Sequence, residues 1–192
     1  RRQRQMCIRD RGYNLGNAIY QGVNIYAKWS PIWQLYVYGS ANVQHSYYTQ
    51  DYNNSGTSFN GMRLAGIPHY SFNVSVSYKF RMPYGVLEPV LTDQYSGGQT
   101  LYNNVAGGPT NQTINAYNIV NLSASYKTFA LNHIIPGVKE TDFNFGVYNL
   151  LNRKYESDIY LATGGYNPQE EPSLFAYAGA PLQVFGGLTV KF

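Results

Sequence analysis

The sequence predicts an all-β fold: an antiparallel, up-and-down transmembrane β-barrel segment of about seven strands, part of a larger barrel. Three observations carry this. The last residues alternate without a break, Val184, Gly186, Leu188, Val190 and Phe192 on one face against Gln183, Phe185, Gly187, Thr189 and Lys191 on the other. A soluble terminal strand usually trails into a few polar residues. A strand apolar on one side up to its last aromatic suits a wall with lipid on one face and a lumen on the other. Composition agrees, with only 12% charged residues, 20 tyrosines and no run near the roughly 18 apolar residues of a membrane helix. The third observation is the spacing of the strands, which places short and long connections in alternation.

The first strand is read over about Gly16–Trp29, with Val23, Ile25, Ala27 and Trp29 on one face, and Ser30-Pro31 is expected to turn it. The second, about Trp33–Tyr48, sets Leu35, Val37, Gly39, Ala41 and Val43 against Gln34, Tyr36, Tyr38, Ser40, Asn42 and Gln44. A polar stretch rich in Asn, Ser and Gly follows. The third strand, about Pro68–Arg81, has the cleanest alternation: Tyr70, Phe72, Val74, Val76, Tyr78 and Phe80 against Ser71, Asn73, Ser75, Ser77 and Lys79. Met82-Pro83-Tyr84-Gly85 turns it into a fourth, about Val86–Tyr95. After a second long loop comes a fifth, about Tyr117–Phe129, with Val120, Leu122, Ala124 and Tyr126 facing away from Asn121, Ser123 and Ser125. A medium connection holding Pro136-Gly137 leads to a sixth, about Thr141–Leu151, and the longest loop, Asn152 to about Ala180, precedes the terminal strand. Short turns on the periplasmic side and long loops outside are the rhythm of an outer-membrane barrel. With the C-terminus periplasmic, parity puts the three long loops outside. Seven strands do not close a bacterial barrel, and an open sheet of this kind would expose its edges and an apolar face.

Residues 1–11, Arg1-Arg-Gln-Arg-Gln-Met-Cys-Ile-Arg-Asp-Arg11, show no apolar period and no turn chemistry. They resemble a translated transposon-type sequencing adapter and are expected to be a non-native segment. Their five arginines and one aspartate account for the whole of the formal charge of +4, so residues 12–192 are neutral on balance and the charge points to no nucleic-acid partner. The single cysteine, Cys7, belongs to the same segment, leaving a Cys-free remainder suited to crossing an oxidising periplasm unfolded.

Four segments then carry a family resemblance. Phe143-Asn-Phe-Gly-Val-Tyr-Asn-Leu-Leu-Asn-Arg-Lys-Tyr155 resembles the box near the end of TonB-dependent receptors, where a strand runs into Asn-Leu, a hydrophobe, Asp or Asn, a basic pair and Tyr. Gly61–Val74 resembles that family's approach to a strand after Pro, and Tyr20-Gln-Gly-Val-Asn-Ile25 its Tyr-x-Gly-Val-Glu strand, with Asn24 replacing the acid. Gly179–Leu188 resembles the start of its last strand, with Leu182 where Arg commonly follows Pro. Gly187, Val190 and Phe192 resemble the terminal assembly signal of outer-membrane proteins, with Phe185 at a usually polar position. The resemblance spans residues 12–192 in order. It implies the C-terminal part of a 22-stranded barrel in the bacterial outer membrane, whose plug, TonB-contacting box and signal peptide would lie upstream of residue 12. The implied function is energised uptake of a scarce ligand, chiefly a ferric siderophore or similar iron complex. The implied partners are the TonB-ExbB-ExbD system, the barrel-assembly machinery and outer-membrane lipid.

His45, His69 and His133 are far apart in sequence and lack a second His at metal-ligand spacing, so no metal or other cofactor is expected. No nucleophile and base stand in a recognisable arrangement, and no enzyme is expected. Glu140, Asp142, Asp158, Glu170 and Glu171 read as solvated loop or rim acids. Ligand contacts are expected from aromatic and cationic loop residues, Tyr52, Phe59, Arg63, Tyr102, Tyr160, Tyr166 and Phe175, because an anionic catecholate complex favours aromatic faces and Arg or Lys. A passive porin-type channel, and a soluble all-β binding domain, are the competing readings.

Overall fold

Strand pairing, rather than a hydrophobic core, organises the chain. The structure is a computed structural model that describes residues 17–50, 58–103, 110–162 and 173–192. The wall runs in sequence order: β1 (Asn17–Ile32), β2 (Leu35–Gln50), β3 (Tyr70–Tyr78), β5 (Gly85–Ser96), β8 (Tyr117–Thr128), β9 (Glu140–Tyr148) and β12 (Gln183–Lys191). Every neighbour in that order is antiparallel, and β4 (Phe80–Met82) continues β3 along β5. Sequence therefore locates all seven wall strands. What it reads as loop contains two further hairpins, β6 (Gln99–Asn103) with β7 (Thr110–Ile114), and β10 (Glu156–Ala162) with β11 (Ser173–Ala178). β6 and β7 are mostly polar, whereas β10 and β11 carry apolar residues on both faces, so neither hairpin shows the one-sided alternation of the wall strands.

Register fixes the faces. Val23, Val43 and Tyr70 lie side by side, as do Trp29, Val37, Val76, Leu91, Leu122, Val147 and Val184 across the whole wall. The same face carries Val74, Phe145 and Leu188, and these side chains are exposed. Among the described residues the buried hydrophobics are only Phe59, Ile114, Ile119 and Val138. A sheet of this size with so broad an apolar face and so little interior needs an apolar solvent on that side. Among the described residues no helix is long and apolar enough to cross a membrane; this says nothing about strands.

The opposite face is polar. Asn42 donates to Asn24, Ser75 and Thr92 share a hydrogen bond of 3.0 Å, Lys79 meets Glu88 at 3.8 Å, and Lys191 pairs with Glu140 and, at 3.6 Å, Asp142. Glu140 and Asp142 thus stand at the rim end of β9, within the wall strand and held by a lysine on the next one, rather than in a loop. Phe185 stands on this polar face because it covers Gly146, its cross-strand partner; a Cβ on Gly146 would lie 2.1 Å from the ring. An aromatic laid over a strand glycine restores packing that the missing side chain leaves out.

The first turn differs from expectation. Trp33 and Gln34 make it, while Ser30 and Pro31 sit inside β1 at a register shift between Trp29 and Ile32. Pro31 is accommodated there because the extra residue of a bulge stays out of the ladder with β2 and does not need the N–H that proline lacks. Pro83 and Tyr84 form the second short turn as expected. Residues 129–139, with a 3-10 turn at Ala130–His133, form the third connection at that end. The C-terminus lies beside it, where Lys139 donates from its backbone N–H to Lys191 O at 2.8 Å and from Nζ to Phe192 O at 3.1 Å. The longer connections all leave from the other end.

Candidate functional site

Aromatic belts mark the two ends of the apolar face. Near the loop end Phe72 stacks on Tyr95 at 4.6 Å between ring centres, and Tyr70 on Tyr95 at 5.8 Å. At the short-turn end Tyr78 meets Phe80 at 4.5 Å, Arg81 lies 4.3 Å over the Trp33 ring, and Tyr84, Phe129 and Phe192 are exposed. Amphipathic rings at both levels are what two membrane interfaces favour.

At the loop end the three long connections converge. The segment 58–69 folds back along β2, with Tyr48 N–H bonded to Met62 O at 2.9 Å and Gln44 N–H to His69 O at 2.8 Å. Gly66 N–H then reaches Thr100 O of β6 at 3.0 Å, and β10 rests against β6 and β7. Sequence separation concealed one pair: His45 and His69 stack at 6.2 Å, with His69 Nδ1 3.0 Å from Gln44 O.

Of the residues the sequence singled out, Tyr52 and Tyr166 lie outside the described residues. Arg63 is exposed and bridges Tyr47 of β2. Tyr102 is in β6 opposite Asn111, and Tyr160 in β10 opposite Phe175 of β11, whose ring is exposed. Phe59 is buried and packs on Tyr48 at 6.3 Å, which removes it from the ligand-facing candidates. At the other end of the molecule Gly187 pairs with Asn144, Val190 with Thr141, and Phe192 stands exposed. Among the described residues there is no group of three or more His, Cys, Asp or Glu placed to hold a metal.

Sequence reasoning missed the residues that line the concave surface here. A groove of about 520 Å³ lies between the start of β8, the β9–β10 connection and β11; Tyr117, Arg153, Lys154, Tyr155 and Glu156 supply its functional groups. Tyr155 packs on Tyr117 at 4.5 Å and its hydroxyl lies 3.4 Å from that of Tyr148. Burial, and then the hydrogen bond with Tyr148, push the Tyr155 hydroxyl above the ordinary phenol range, so it stays neutral and available to hydrogen-bond. Arg153 Nη1 donates to Asn118 Oδ1 at 2.9 Å, and Asn118 donates to Asp93 Oδ1 at 3.5 Å. Asn118 and Asp93 face outward with Tyr95, so this chain of polar groups links a carboxylate on the apolar face to a cation at its rim.

The box beginning at Asn149 shapes that groove. Asn149 is wholly buried with a φ of 51°, and Asn152 has a φ of 48°, a left-handed backbone that Asn tolerates better than other side chains. Asn149 N–H donates to Asn121 Oδ1 of β8 at 2.9 Å, and Leu150 N–H to Val120 O at 2.7 Å. The resemblance could have flagged these positions, but not the bonds they make.

Comparison with known proteins agrees with this architecture. The family described as TonB dependent receptor-like, beta-barrel matches residues 3–150. No curated protein matches the chain. Among solved structures, the ferric yersiniabactin uptake receptor FyuA from Yersinia pestis is similar, with a TM-score of 0.63 at 22% sequence identity, over 91% of this chain and 23% of that one. The chain thus spans less than a quarter of that receptor's length.

Proposed function

From the premise that the chain belongs to the TonB-dependent receptor β-barrel family, we propose that it is the C-terminal part of the barrel wall of an energised uptake receptor for a ferric siderophore or similar iron complex. The family is one of Gram-negative outer-membrane receptors, not of enzymes. On this reading residues 12–192 supply seven of the wall strands, and residues 1–11 are foreign to the fold. TonB, with ExbB and ExbD, would act through an upstream plug, and the barrel-assembly machinery would insert the chain among outer-membrane lipids.

The observation that supports the ligand class is the groove at the loop end, where Arg153 and Lys154 stand beside Tyr117 and Tyr155. Two cations against the single acid Glu156, with Arg153 steadied by Asn118, and two phenol rings suit an anionic, aromatic-bearing iron chelate better than a neutral solute. A passive channel would have no need of a built groove on the wall of its mouth.

The test is a deletion within Tyr160–Phe175 in the full-length receptor, expressed in an iron-starved host lacking its own receptors. Uptake of radioactive iron from a panel of ferric siderophores should be lost while the heat-resistant barrel persists, because loops carry function on a rigid scaffold. Uptake by the undeleted receptor should also vanish in a host without TonB. Uptake indifferent to TonB would favour the porin reading.

A further inference from the structure

We infer that Asn149 is a positioning residue, whose one side chain ties both feet of the β10–β11 hairpin to each other and so holds the groove open; this rests on the reading of the hairpin as a ligand-facing loop. Its Nδ2 donates to Arg153 O at 2.8 Å and to Ala180 O at 2.9 Å, while its Oδ1 accepts from Arg153 N–H at 2.8 Å. Arg153 is the outgoing foot and Ala180 the returning one. The Asn149 side chain that makes all three bonds is wholly buried, so losing any of them leaves its amide short of a partner that water does not replace. Neighbouring contacts repeat the tie: Asn152 Oδ1 accepts from Leu182 N–H at 3.1 Å, and Gly179 N–H donates to Tyr155 O at 2.8 Å. Tyr155 lies so close over Gly179 that a Cβ there would come within 2.1 Å of the ring.

The chemistry selects asparagine. The site asks for two donors, one acceptor and a left-handed backbone on a single short side chain. Aspartate would set a carboxylate against two carbonyl oxygens; alanine and glycine supply no bonds. Because the amide occupies both the N–H and the C=O of Arg153, it also withholds the backbone groups that a protease must engage at this segment.

Trypsin therefore reads the clasp directly, using the full-length receptor in outer membranes, parent against Asn149→Gly, which keeps the left-handed backbone free of strain. Cleavage after Arg153 or Lys154 should be about tenfold faster or more in the variant, since proteolysis follows the population of the locally opened state and three hydrogen bonds are gone. The temperature of the heat-induced electrophoretic shift of the barrel should stay at the parental value. Asn121→Ala frees the Asn149 N–H from β8 but leaves both feet on the amide, so its cleavage should remain near the parental rate.

An unchanged rate in Asn149→Gly overturns the inference. So does faster cleavage accompanied by a lowered barrel transition, which would make Asn149 an ordinary part of the wall, and so does Asn121→Ala cleaving as fast as Asn149→Gly. Permeabilised cells report the clasp whichever way the loop end faces. Intact cells report only sidedness, so cleavage confined to permeabilised cells contradicts the proposed receptor orientation and not the clasp.

Discussion

At the residue scale, the cost of a substitution depends on which face the side chain meets. Val74 and Leu122 are mid-wall on the apolar face, flanked by Gly39 and Asp93, and by Leu91 and Val147. Arg at either position in the full-length receptor should destabilise the barrel by roughly 2–4 kcal/mol. Arg at Asn73 or Ser123, one residue away on the polar face, should cost much less; equal losses in thermal unfolding would contradict the assignment of faces. Gly146 makes a second case. Val there must displace the Phe185 ring that lies over it, at a cost of about 1–3 kcal/mol. Phe185→Ala in the same chain should recover part of the loss, a coupling that unfolding of the single and double variants would measure. Neither the Phe185–Gly146 contact nor the Asn149 bonds were legible in sequence. Phe185 and Gly146 lie on different strands and the Asn149 amide reaches Ala180, 31 residues on, and local pattern carries no record of such a partner. The stacking of His45 on His69 was hidden for the same reason.

At the scale of elements, alternation and turn chemistry did most of the work. The strand read over about Pro68–Arg81 is found as Tyr70–Tyr78 and Phe80–Met82, and the terminal strand as Gln183–Lys191, because every second side chain there is apolar over eight or more positions. The turn lies at Trp33-Gln34, three residues beyond the expected Ser30-Pro31, because Ser-Pro is a turn signal wherever it occurs and only the pairing shows that Pro31 falls in a bulge. The β6–β7 and β10–β11 hairpins are not legible because the first is mostly polar and the second apolar on both faces, so neither offers the one-sided alternation by which the wall strands are read. The terminal strand carries its own prediction. Removing Phe192, or making it polar, should lower the amount of full-length receptor reaching the outer membrane while leaving inserted molecules nearly as heat-resistant as the parent. A terminal ring at the rim contributes at most roughly 1.5–3 kcal/mol, too little to unfold a large barrel. Membrane yield and thermal stability, measured separately, decide it: normal yield with lowered stability would make Phe192 a packing residue and not part of an assembly signal.

At the scale of the whole molecule, the wall has one apolar face, one polar face and almost no interior, and its two edges are β1 and β12. That combination is unstable in water on one side and consistent with lipid there, which is why composition, period and loop rhythm pointed to the architecture before any contact was known. The groove was less legible, because Tyr117 and the Arg153–Tyr155 segment come together only once β8 and β9 are neighbours and the Asn149 box turns the chain back. The most direct test of the lipid-facing wall is a nitroxide scan of the full-length receptor in membranes, one label at a time on Val74, Ser75, Leu122, Ser123, Leu188 and Thr189. Labels on Val74, Leu122 and Leu188 should collide preferentially with oxygen, which partitions into lipid, and those on Ser75, Ser123 and Thr189 with a water-soluble nickel chelate. Chelate access that does not alternate from one residue to the next, or that is high at all six positions, would contradict the barrel wall itself.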